Sequence, residues 1–263
     1  MPKTPVPAVA GDHVDLAYSA HPKNPAVLTD VHLTVPTGEH LAVIGRSGCG
    51  KSTLLHLIGG LLAPTAGDIR VRGDADPADR LSHCALMPQG DSLLPWFSVR
   101  DNVAVPLRNH GVARRVARGR ATAMLERCGL GAWATSRPSE LSGGMRQRAA
   151  LARALLADKP VLLADEPLGA LDAITRGEIQ DWLAELLAGS GATLVMVTHD
   201  VDEALLLSER VVLLADGHVV GDWPGWFSRR AGRPRTEVLA DPGFAASRTE
   251  ILRSLGGVAE AVA

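Results

Sequence analysis

Short runs of apolar residues alternate with amphipathic segments along most of this 263-residue chain. Continuous or alternating apolar positions predict β-strands at residues 14–18, 31–35, 40–44, 68–71, 84–87, 161–164, 192–197 and 210–214. Helical spacing predicts α-helices at residues 52–58, 112–130, 142–157, 173–187 and 201–207, and a weaker one at 244–255. Strands and helices alternate on both sides of a mainly helical stretch, so the pattern indicates an α/β fold with a helical insertion.

Changes in composition divide the chain into four parts. Residues 1–11 are rich in proline and are expected to be loose. The α/β core is assigned to residues 12–90 and 158–225, and the helical insertion to 91–157. Residues 226–263 are assigned to a short C-terminal tail, which is rich in proline and arginine where it begins.

The overall composition is that of an ordinary globular protein, with 46% hydrophobic and 21% charged residues. A net charge of −2 gives no sign of a surface that coats nucleic acid. Cys49, Cys84 and Cys128 are widely spaced, so they predict neither a disulfide framework nor a metal site and favour a reducing cytoplasm. The longest apolar stretch, 54–63, is far shorter than the roughly 20 residues that span a bilayer. We therefore expect a soluble chain that reaches a membrane only through a partner.

The most specific motif is Gly-Arg-Ser-Gly-Cys-Gly-Lys-Ser at residues 45–52, between a predicted strand and a predicted helix. It fits the phosphate-binding P-loop pattern G-x-x-x-x-G-K-[ST]. The glycines let successive N–H groups point at one anion, Lys51 adds positive charge for the β- and γ-phosphates, and Ser52 offers a hydroxyl to Mg²⁺. The alternative is a glycine-rich turn without a ligand. The predicted nucleotide-binding residues of this segment are Gly45, Arg46, Ser47, Gly48, Cys49, Gly50, Lys51, Ser52 and Thr53.

Two adjacent acids, Asp165 and Glu166, follow the buried strand predicted at 161–164. A carboxylate at the end of such a strand is well placed to hold Mg²⁺ through water, and a second carboxylate can polarise the attacking water. We expect Asp165 to serve the metal and Glu166 to serve the water. An acidic turn after a strand is the alternative. The sequence Ser-Gly-Gly at 142–144 opens a predicted helix and so offers a second anion-binding helix end.

Leu-Ser-Gly-Gly at residues 141–144 resembles the core of the signature motif of ABC-type ATPases. Other marks of that family occur in the same order as in the family. Gln89 resembles the Q-loop glutamine, Ala-Leu-Asp at 170–172 resembles the D-loop, and His199 resembles the switch histidine. Tyr18, the only tyrosine of the chain, resembles the aromatic residue that stacks on adenine, and packing in the core is the alternative for it.

This resemblance covers about residues 10–225 and implies a P-loop NTPase core. That core is a mixed sheet with flanking helices plus an N-terminal antiparallel β-subdomain, into which an α-helical subdomain is inserted. The resemblance implies an ATPase in which ATP and Mg²⁺ lie between the P-loop of one copy and the signature of a second copy. The implied catalytic residues are Glu166, His199, Lys51 and Gln89. The other implied site residues are Ser52, Gln89 and Asp165 for the metal, Ser142, Gly143 and Gly144 for the signature contacts in trans, and Asp172 for the D-loop.

Segments around the Q-loop narrow the resemblance further. Met-Pro-Gln at 87–89, Leu-Leu-Pro-Trp at 93–96 and Val-Arg-Asp-Asn-Val at 99–103 resemble the nitrate, sulfonate and taurine importer group. That group implies the ATP-hydrolysing subunit of a bacterial importer of a small anion, bound peripherally to the cytoplasmic face of the inner membrane. Its implied partners are two integral membrane permease subunits and a periplasmic or lipid-anchored solute-binding protein, with no nucleic acid.

The sequence leaves several alternatives open. Importers of a pyrimidine or thiamine precursor use similar cassettes, and a non-transport ABC ATPase is the alternative from another class. The apolar residues Leu93, Leu94, Trp96 and Phe97 form either the floor of a groove for a helix of the membrane subunit or part of the subdomain's own core. Cys49 is either a reactive thiol, because a thiol near a helix N-terminus tends to have a lowered pKa, or a small neutral filler.

Overall fold

The computed structural model describes residues 5–18 and 26–261. Its strands are β1 (Val9–Leu16), β2 (Leu28–Val35), β3 (His40–Ile44), β4 (Ala66–Val71), β5 (Cys84–Met87), β6 (Val161–Asp165), β7 (Thr193–Val197), β8 (Arg210–Ala215) and β9 (His218–Pro224). Its α-helices are α1 (Lys51–Ile58), α2 (Pro77–His83), α3 (Val99–Asn109), α4 (Arg114–Arg127), α5 (Gly143–Leu156), α6 (Ala173–Ser190), α7 (Val201–Leu207), α8 (Arg235–Leu239) and α9 (Pro242–Ala261).

The central sheet of the described chain has six strands in the order β5-β6-β7-β3-β8-β9. β9 runs antiparallel to β8, and the other neighbours are parallel. β3, β6 and β7 are buried at all five positions because both faces of the sheet are covered, which explains their continuous apolar runs. Ala42 and Ile44 face the core shared with helices α3 to α7, whereas Leu41 and Val43 face a second core formed with α1 and the other sheet.

The second sheet is antiparallel, with the order β2-β1-β4. Its central strand places Val9 opposite both Val35 and Val71. The prediction that residues 1–11 are loose is therefore wrong at residues 9–11, because Val9 is fully buried and paired on both sides. These long-range partners come from distant parts of the chain, and the local proline content does not reveal them. Residues 1–4 lie outside the described part of the chain.

Helices α3, α4 and α5 form the helical insertion. The side chain of Ser98 accepts a hydrogen bond from the N–H of Asp101 and so caps α3. Two hydrogen bonds, of 2.7 and 2.6 Å, join the guanidinium of Arg118 on α4 to the carboxylate of Asp101. The apolar contacts of the insertion include Val99, Val103, Ala117, Ala121, Leu125 and Ala150. The insertion, the mixed sheet and the antiparallel sheet together confirm the predicted fold class.

Four elements, α2, α3, β9 and α8, are absent from the predicted strands and helices, although α3 lies within the insertion that is expected to be helical. α2 has no apolar stripe, since Arg80 is its buried residue, and it is instead capped by Asp76, which accepts from the N–H groups of Ala78 and Asp79. β9 lies at the edge of the sheet and alternates between exposed and half-buried positions. Among the described residues, the helices are each too short or too polar to cross a bilayer.

Candidate nucleotide site

A pocket lies at the carboxyl ends of the parallel strands β3, β6 and β7, beside the N-terminus of α1. Binding sites of open α/β sheets occur at this edge. Most of the residues that the motifs single out line this pocket. It is lined by Tyr18, Val27, Gly45, Ser47, Gly48, Gly50, Lys51, Ser52, Thr53, Gln89, Asp165, Glu166, Val197 and His199. Arg46 and Cys49 belong to the same loop but line an adjoining groove beside β8.

The loop between β3 and α1 is tightly folded and packs closely against β8. Gly45 has a φ of 155°, and a Cβ placed there would lie 2.2 Å from the carbonyl oxygen of Leu214. No residue with a side chain fits this approach, so glycine is required at the start of the loop. The Lys51 side chain is buried and its Nζ donates to the carbonyl oxygens of Gly45 and Arg46 at 2.9 and 2.8 Å. The loop therefore holds one positive charge at the mouth of α1, where helix N–H groups also point outward.

Asp165 ends β6 and is only 4% exposed. Burial raises the pKa of its carboxyl group, and a hydrogen bond from Ser52 opposes that shift. Gln89, whose side chain ends in an amide, also lines the pocket. A hydroxyl, a carboxylate and an amide oxygen are all ligands that suit Mg²⁺, and a buried carboxylate gains from a nearby dication. The side chains of Ser52, Gln89 and Asp165 thus fit a bound Mg²⁺.

Glu166 and His199 form a pair at the open side of the pocket. The Oε1 atom of Glu166 lies 3.3 Å from Nδ1 of His199, which follows β7. Glu166 has a φ of 48°, a left-handed conformation that is uncommon for a residue with a side chain. Its N–H donates to the carbonyl oxygen of Val197 at 2.8 Å. Backbone strain at a carboxylate in a pocket is typical of functional positions, where the surrounding structure maintains it.

Gln147 is a site residue that the motif analysis does not single out. It is buried in α5, and its Nε2 donates to the carbonyl oxygen of Glu166 at 2.6 Å. Its Oε1 accepts from the N–H of Ala170 at 2.7 Å. One side chain therefore ties α5 both to the strained carboxylate residue and to the loop before α6. The signal in the sequence is a polar residue at a core-facing position, three and four residues before the buried pair Ala150 and Leu151.

The signature residues and the D-loop aspartate lie outside this pocket. Ser142 caps α5 by accepting from the N–H of Met145 at 3.3 Å, and both Ser142 and Gly143 are exposed. Gly144 is half-buried against the loop that contains Ala170. Asp172 is exposed and caps α6, and hydrogen bonds from the N–H groups at the start of that helix lower the pKa of its carboxyl group. Within one copy of the described chain, the signature therefore presents its helix end to solvent.

Tyr18 stands at the rim of the pocket. Its side chain is 65% exposed, and its hydroxyl lies 3.1 Å from Oγ1 of Thr53 in α1. This exposure excludes the alternative that Tyr18 packs in the core. An exposed ring beside a phosphate-binding loop is available for stacking on a flat ligand group.

Burial bears on two further sequence alternatives. Burial raises the pKa of the Cys49 thiol, and the charge of Lys51 opposes the shift without overcoming it, which favours the small neutral filler over a reactive thiolate. The four apolar residues after the Q-loop divide between the two alternatives for them. Leu93 is part of the core, Leu94 and Phe97 are half-buried, and Trp96 is 63% exposed.

Comparisons with known proteins show the family and the fold. The family model described as ABC transporter matches residues 28–169. The taurine import ATP-binding protein TauB of Sinorhizobium fredii is 44% identical over 243 residues, which cover 89% of this chain and 90% of that protein. The aliphatic sulfonates import ATP-binding protein SsuB of Pseudomonas fluorescens is 44% identical, with 86% of this chain and 80% of that protein covered. A solved dimeric, post-hydrolysis state of an ATP-binding cassette bound to ADP and Pi has a TM-score of 0.76 at 33% identity, covering 82% of this chain and 98% of its own.

Proposed function

This chain belongs to the ABC transporter family, and we propose that it is the ATPase subunit of an importer for taurine, an aliphatic sulfonate or a similar small anion such as nitrate. It is an ABC ATPase, in which ATP hydrolysis is coupled to transport. The resemblance that the signature motif suggested is thereby confirmed. Relatives named for taurine and sulfonates favour these solutes over a pyrimidine or thiamine precursor, and over a non-transport role.

The observation that carries the catalytic part of the proposal is the Glu166–His199 pair, 3.3 Å apart beside the phosphate-binding loop. Glu166 would orient the attacking water and accept its proton, while the His199 imidazole holds the carboxylate in place. Lys51 and the N–H groups of the loop would stabilise charge on the phosphates. Ser52, Gln89 and Asp165 would hold Mg²⁺, which neutralises phosphate charge when it is bound.

The position of the signature supports a composite site made by two copies of the chain. Ser142 and Gly143 are exposed and lie apart from the pocket of their own copy. Because the N-terminus of a helix favours an anion, this exposed helix end is suited to contact the phosphates bound by another copy. In a head-to-tail dimer, the signature of each copy would close the pocket of the other over ATP. A related cassette has been solved as a dimer with ADP and Pi, which supports this arrangement.

The remaining partners follow from the importer assignment. We propose that the dimer docks on two integral membrane permease subunits at the cytoplasmic face of the bacterial inner membrane. A periplasmic or lipid-anchored solute-binding protein would deliver the solute to the same complex. The exposed indole of Trp96, beside half-buried Leu94 and Phe97, supports a docking face for the permease next to the Q-loop. The chain itself has no proposed nucleic-acid partner.

The proposal is tested by Glu166→Gln, which keeps the shape of the side chain but removes the base. The rate of ATP hydrolysis should fall by about 10²–10⁴-fold, the range for loss of a general base. ATP binding should persist, so light scattering after size-exclusion chromatography should show a dimer with Mg²⁺-ATP and a monomer without it. Glu178→Gln is the matched control, because Glu178 is exposed on α6 away from the pocket. Normal turnover in Glu166→Gln would contradict the assignment.

The composite site needs a separate test in the assembled transporter. Ser142→Arg places a bulky cation at the exposed signature without touching the pocket of its own copy. ATP hydrolysis should collapse in this variant, whereas ATP binding by the single chain should be unchanged. Full ATPase activity of Ser142→Arg in the assembled complex would show that the two copies do not share their sites.

A further inference from the structure

Asp12, His13 and His32 form a cluster on the antiparallel sheet, and Asp30 contacts both of its imidazoles. None of these four residues is among those that line the nucleotide pocket. Nδ1 of His13 is 2.6 Å from Oδ1 of Asp30 and 3.0 Å from Nε2 of His32. That Nε2 is in turn 3.3 Å from the same Asp30 oxygen. Nδ1, the other nitrogen of the His32 ring, is 3.0 Å from Oδ1 of Asp12. Two imidazole nitrogens and one carboxylate oxygen thus converge. The fourth side chain, Asp12, contacts the other nitrogen of the His32 ring.

Two irregularities of the sheet create this convergence. Gly11 pairs with Leu33 and Val14 with Val31, so two residues of β1 lie opposite the single residue His32 of β2. This bulge turns His13, at a φ of 48°, toward the same face as His32. The imidazole rings meet edge to face with centroids 4.1 Å apart.

The second irregularity positions the carboxylate. The pairing of β1 with β2 shifts again between Val14 and Leu16. There Asp30 adopts a φ of 51°, and its N–H donates to Oδ1 of Asp15 at 2.7 Å. The backbone of Asp30 is thereby fixed where its side chain reaches both imidazoles. In a regular pair of strands, residues 13, 30 and 32 would not meet in this way.

We propose that His13 Nδ1, His32 Nε2 and Asp30 Oδ1 form a binding site for Zn²⁺, with Asp12 holding the His32 ring. Two imidazoles and a carboxylate are donors that suit Zn²⁺. Zinc bonds of 2.0–2.1 Å in a tetrahedron place ligand atoms about 3.3 Å apart. The distances of 2.6, 3.0 and 3.3 Å are close to that spacing, and small side-chain shifts open the site to an ion. Water would occupy the fourth position, since all four side chains are exposed.

With both rings neutral, hydrogen bonds alone do not satisfy the three atoms together. If both rings are neutral and Nδ1 of His32 donates to Asp12, then Nε2 of His32 carries only a lone pair. The single proton on Nδ1 of His13 then serves either Asp30 or His32, which leaves one close contact between two lone pairs. A dication engages all three lone pairs at once. Arg70 shares a shallow pocket with Asp12 and His32, but it is paired with Asp68 at 2.7 Å.

The contact of Asp12 with the His32 ring has its own consequence for metal binding. A carboxylate that accepts from the second nitrogen of a metal-binding histidine fixes the tautomer and orientation of the ring, and its loss typically weakens binding about 10–100-fold. Asp12 occupies this position toward His32. Asp12→Asn should therefore keep the stoichiometry of one Zn²⁺ per chain but raise the dissociation constant by roughly tenfold or more.

Calorimetric titration of the full chain with ZnCl₂, without nucleotide, tests the site. The wild type should bind one Zn²⁺ that His32→Asn and Asp30→Asn each weaken at least tenfold. MgCl₂ should give no heat from this site, because Mg²⁺ prefers oxygen ligands. His83→Asn is the matched control, since His83 also pairs with an aspartate, Asp74 at 2.7 Å, but has no second histidine beside it.

Urea unfolding of each variant without metal shows that the variants fold, and ATPase activity shows that the nucleotide site is intact. Both properties should match the wild type, since none of these side chains lines that pocket. Zn²⁺ affinity that is the same in His32→Asn, Asp30→Asn and His83→Asn would overturn the proposal. So would a wild type that takes up no more Zn²⁺ than the double variant His13→Asn/His32→Asn.

Discussion

Replacing Gln147 by leucine should slow ATP hydrolysis while leaving ATP affinity nearly unchanged. Gln147 donates to the carbonyl oxygen of Glu166, which lines the pocket, at 2.6 Å. It also accepts from the N–H of Ala170, in the loop before α6, at 2.7 Å. Leucine has a similar volume, so it fills the buried space but makes neither hydrogen bond. Gln147 is therefore a positioning residue, because its effect on the reaction acts through Glu166.

The magnitude follows from the strain at Glu166. A residue held in the left-handed region is disfavoured by about 1–3 kcal/mol, and a hydrogen bond contributes about 0.5–1.5 kcal/mol net. The bond from Gln147 is thus comparable with the strain that it opposes. Without it, much of the population should relax to a conformation in which the carboxylate is displaced. Loss of this contribution should lower kcat by about 2- to 13-fold, since about 1.4 kcal/mol corresponds to tenfold in rate. The KM for ATP should change by about twofold or less, because substrate binding does not use this bond.

The assay is steady-state ATP hydrolysis by the assembled transporter, with Gln180→Leu as the control. Gln180 is also buried, on α6, and its Oε1 accepts from Nε of Arg235 at 3.2 Å, away from the pocket. Both variants should lose some stability, but only Gln147→Leu should lose kcat. Gln147→Glu removes the donor to Glu166 and keeps an acceptor for Ala170, so it should be about as slow as the leucine variant. Equal kcat values for Gln147→Leu and Gln180→Leu would refute the reasoning.

Two further predictions concern stability. Burial raises the pKa of Glu203 to about 7, although a hydrogen bond from Thr198 at 2.8 Å opposes the shift. Between the ordinary pKa of a glutamate and about 7, the folded chain therefore binds more protons than the unfolded chain. Stability therefore falls as pH rises through this window. At pH 8, Glu203→Gln should be more stable than the wild type by on the order of 1–3 kcal/mol, and at pH 5 it should not be. Urea unfolding of both proteins at both pH values measures the difference in stability, and the same difference at pH 5 and pH 8 would contradict the prediction. Leu125→Ala, in the core of the insertion, should lose about 2–5 kcal/mol in the same assay, whereas Leu81→Ala, at a side chain 44% exposed, should lose far less; similar losses would contradict the packing described here.

The sequence predicts the centre of the fold better than its edges, for a physical reason. β3, β6 and β7 are covered on both faces, so their apolar runs are continuous and easy to recognise. β9 and α2 have few buried side chains, and their conformations depend on a neighbouring strand and on the Asp76 cap. The start of β1 shows the same limit, because Val9 is ordered by partners that are 26 and 62 residues away.

Motifs identify the residues of the candidate site but not the contacts between them. The loop glycines, Lys51 and Asp165 follow from local patterns, and the structure places them around one pocket. The pairing of Glu166 with His199 joins the ends of two strands, and a strand order is needed to foresee it. The Cys49 thiol shows the opposite case. Its place near a helix end suggests a lowered pKa, but burial outweighs that effect and raises the pKa.

Helix α5 gives a structural reason why the signature and the catalytic carboxylate are linked. The helix begins beside Ser142, which is exposed, and Gln147 lies five residues further on, about 7.5 Å along the axis. Gln147 there binds the backbone of Glu166, and Gly144 packs against the loop of Ala170. In the proposed dimer, ATP held by the other copy would bear on the first turn of α5. Because the helix is short and packed in the core, a shift at its start would reach Glu166 through Gln147, so engagement of one site would help to position the base of the other.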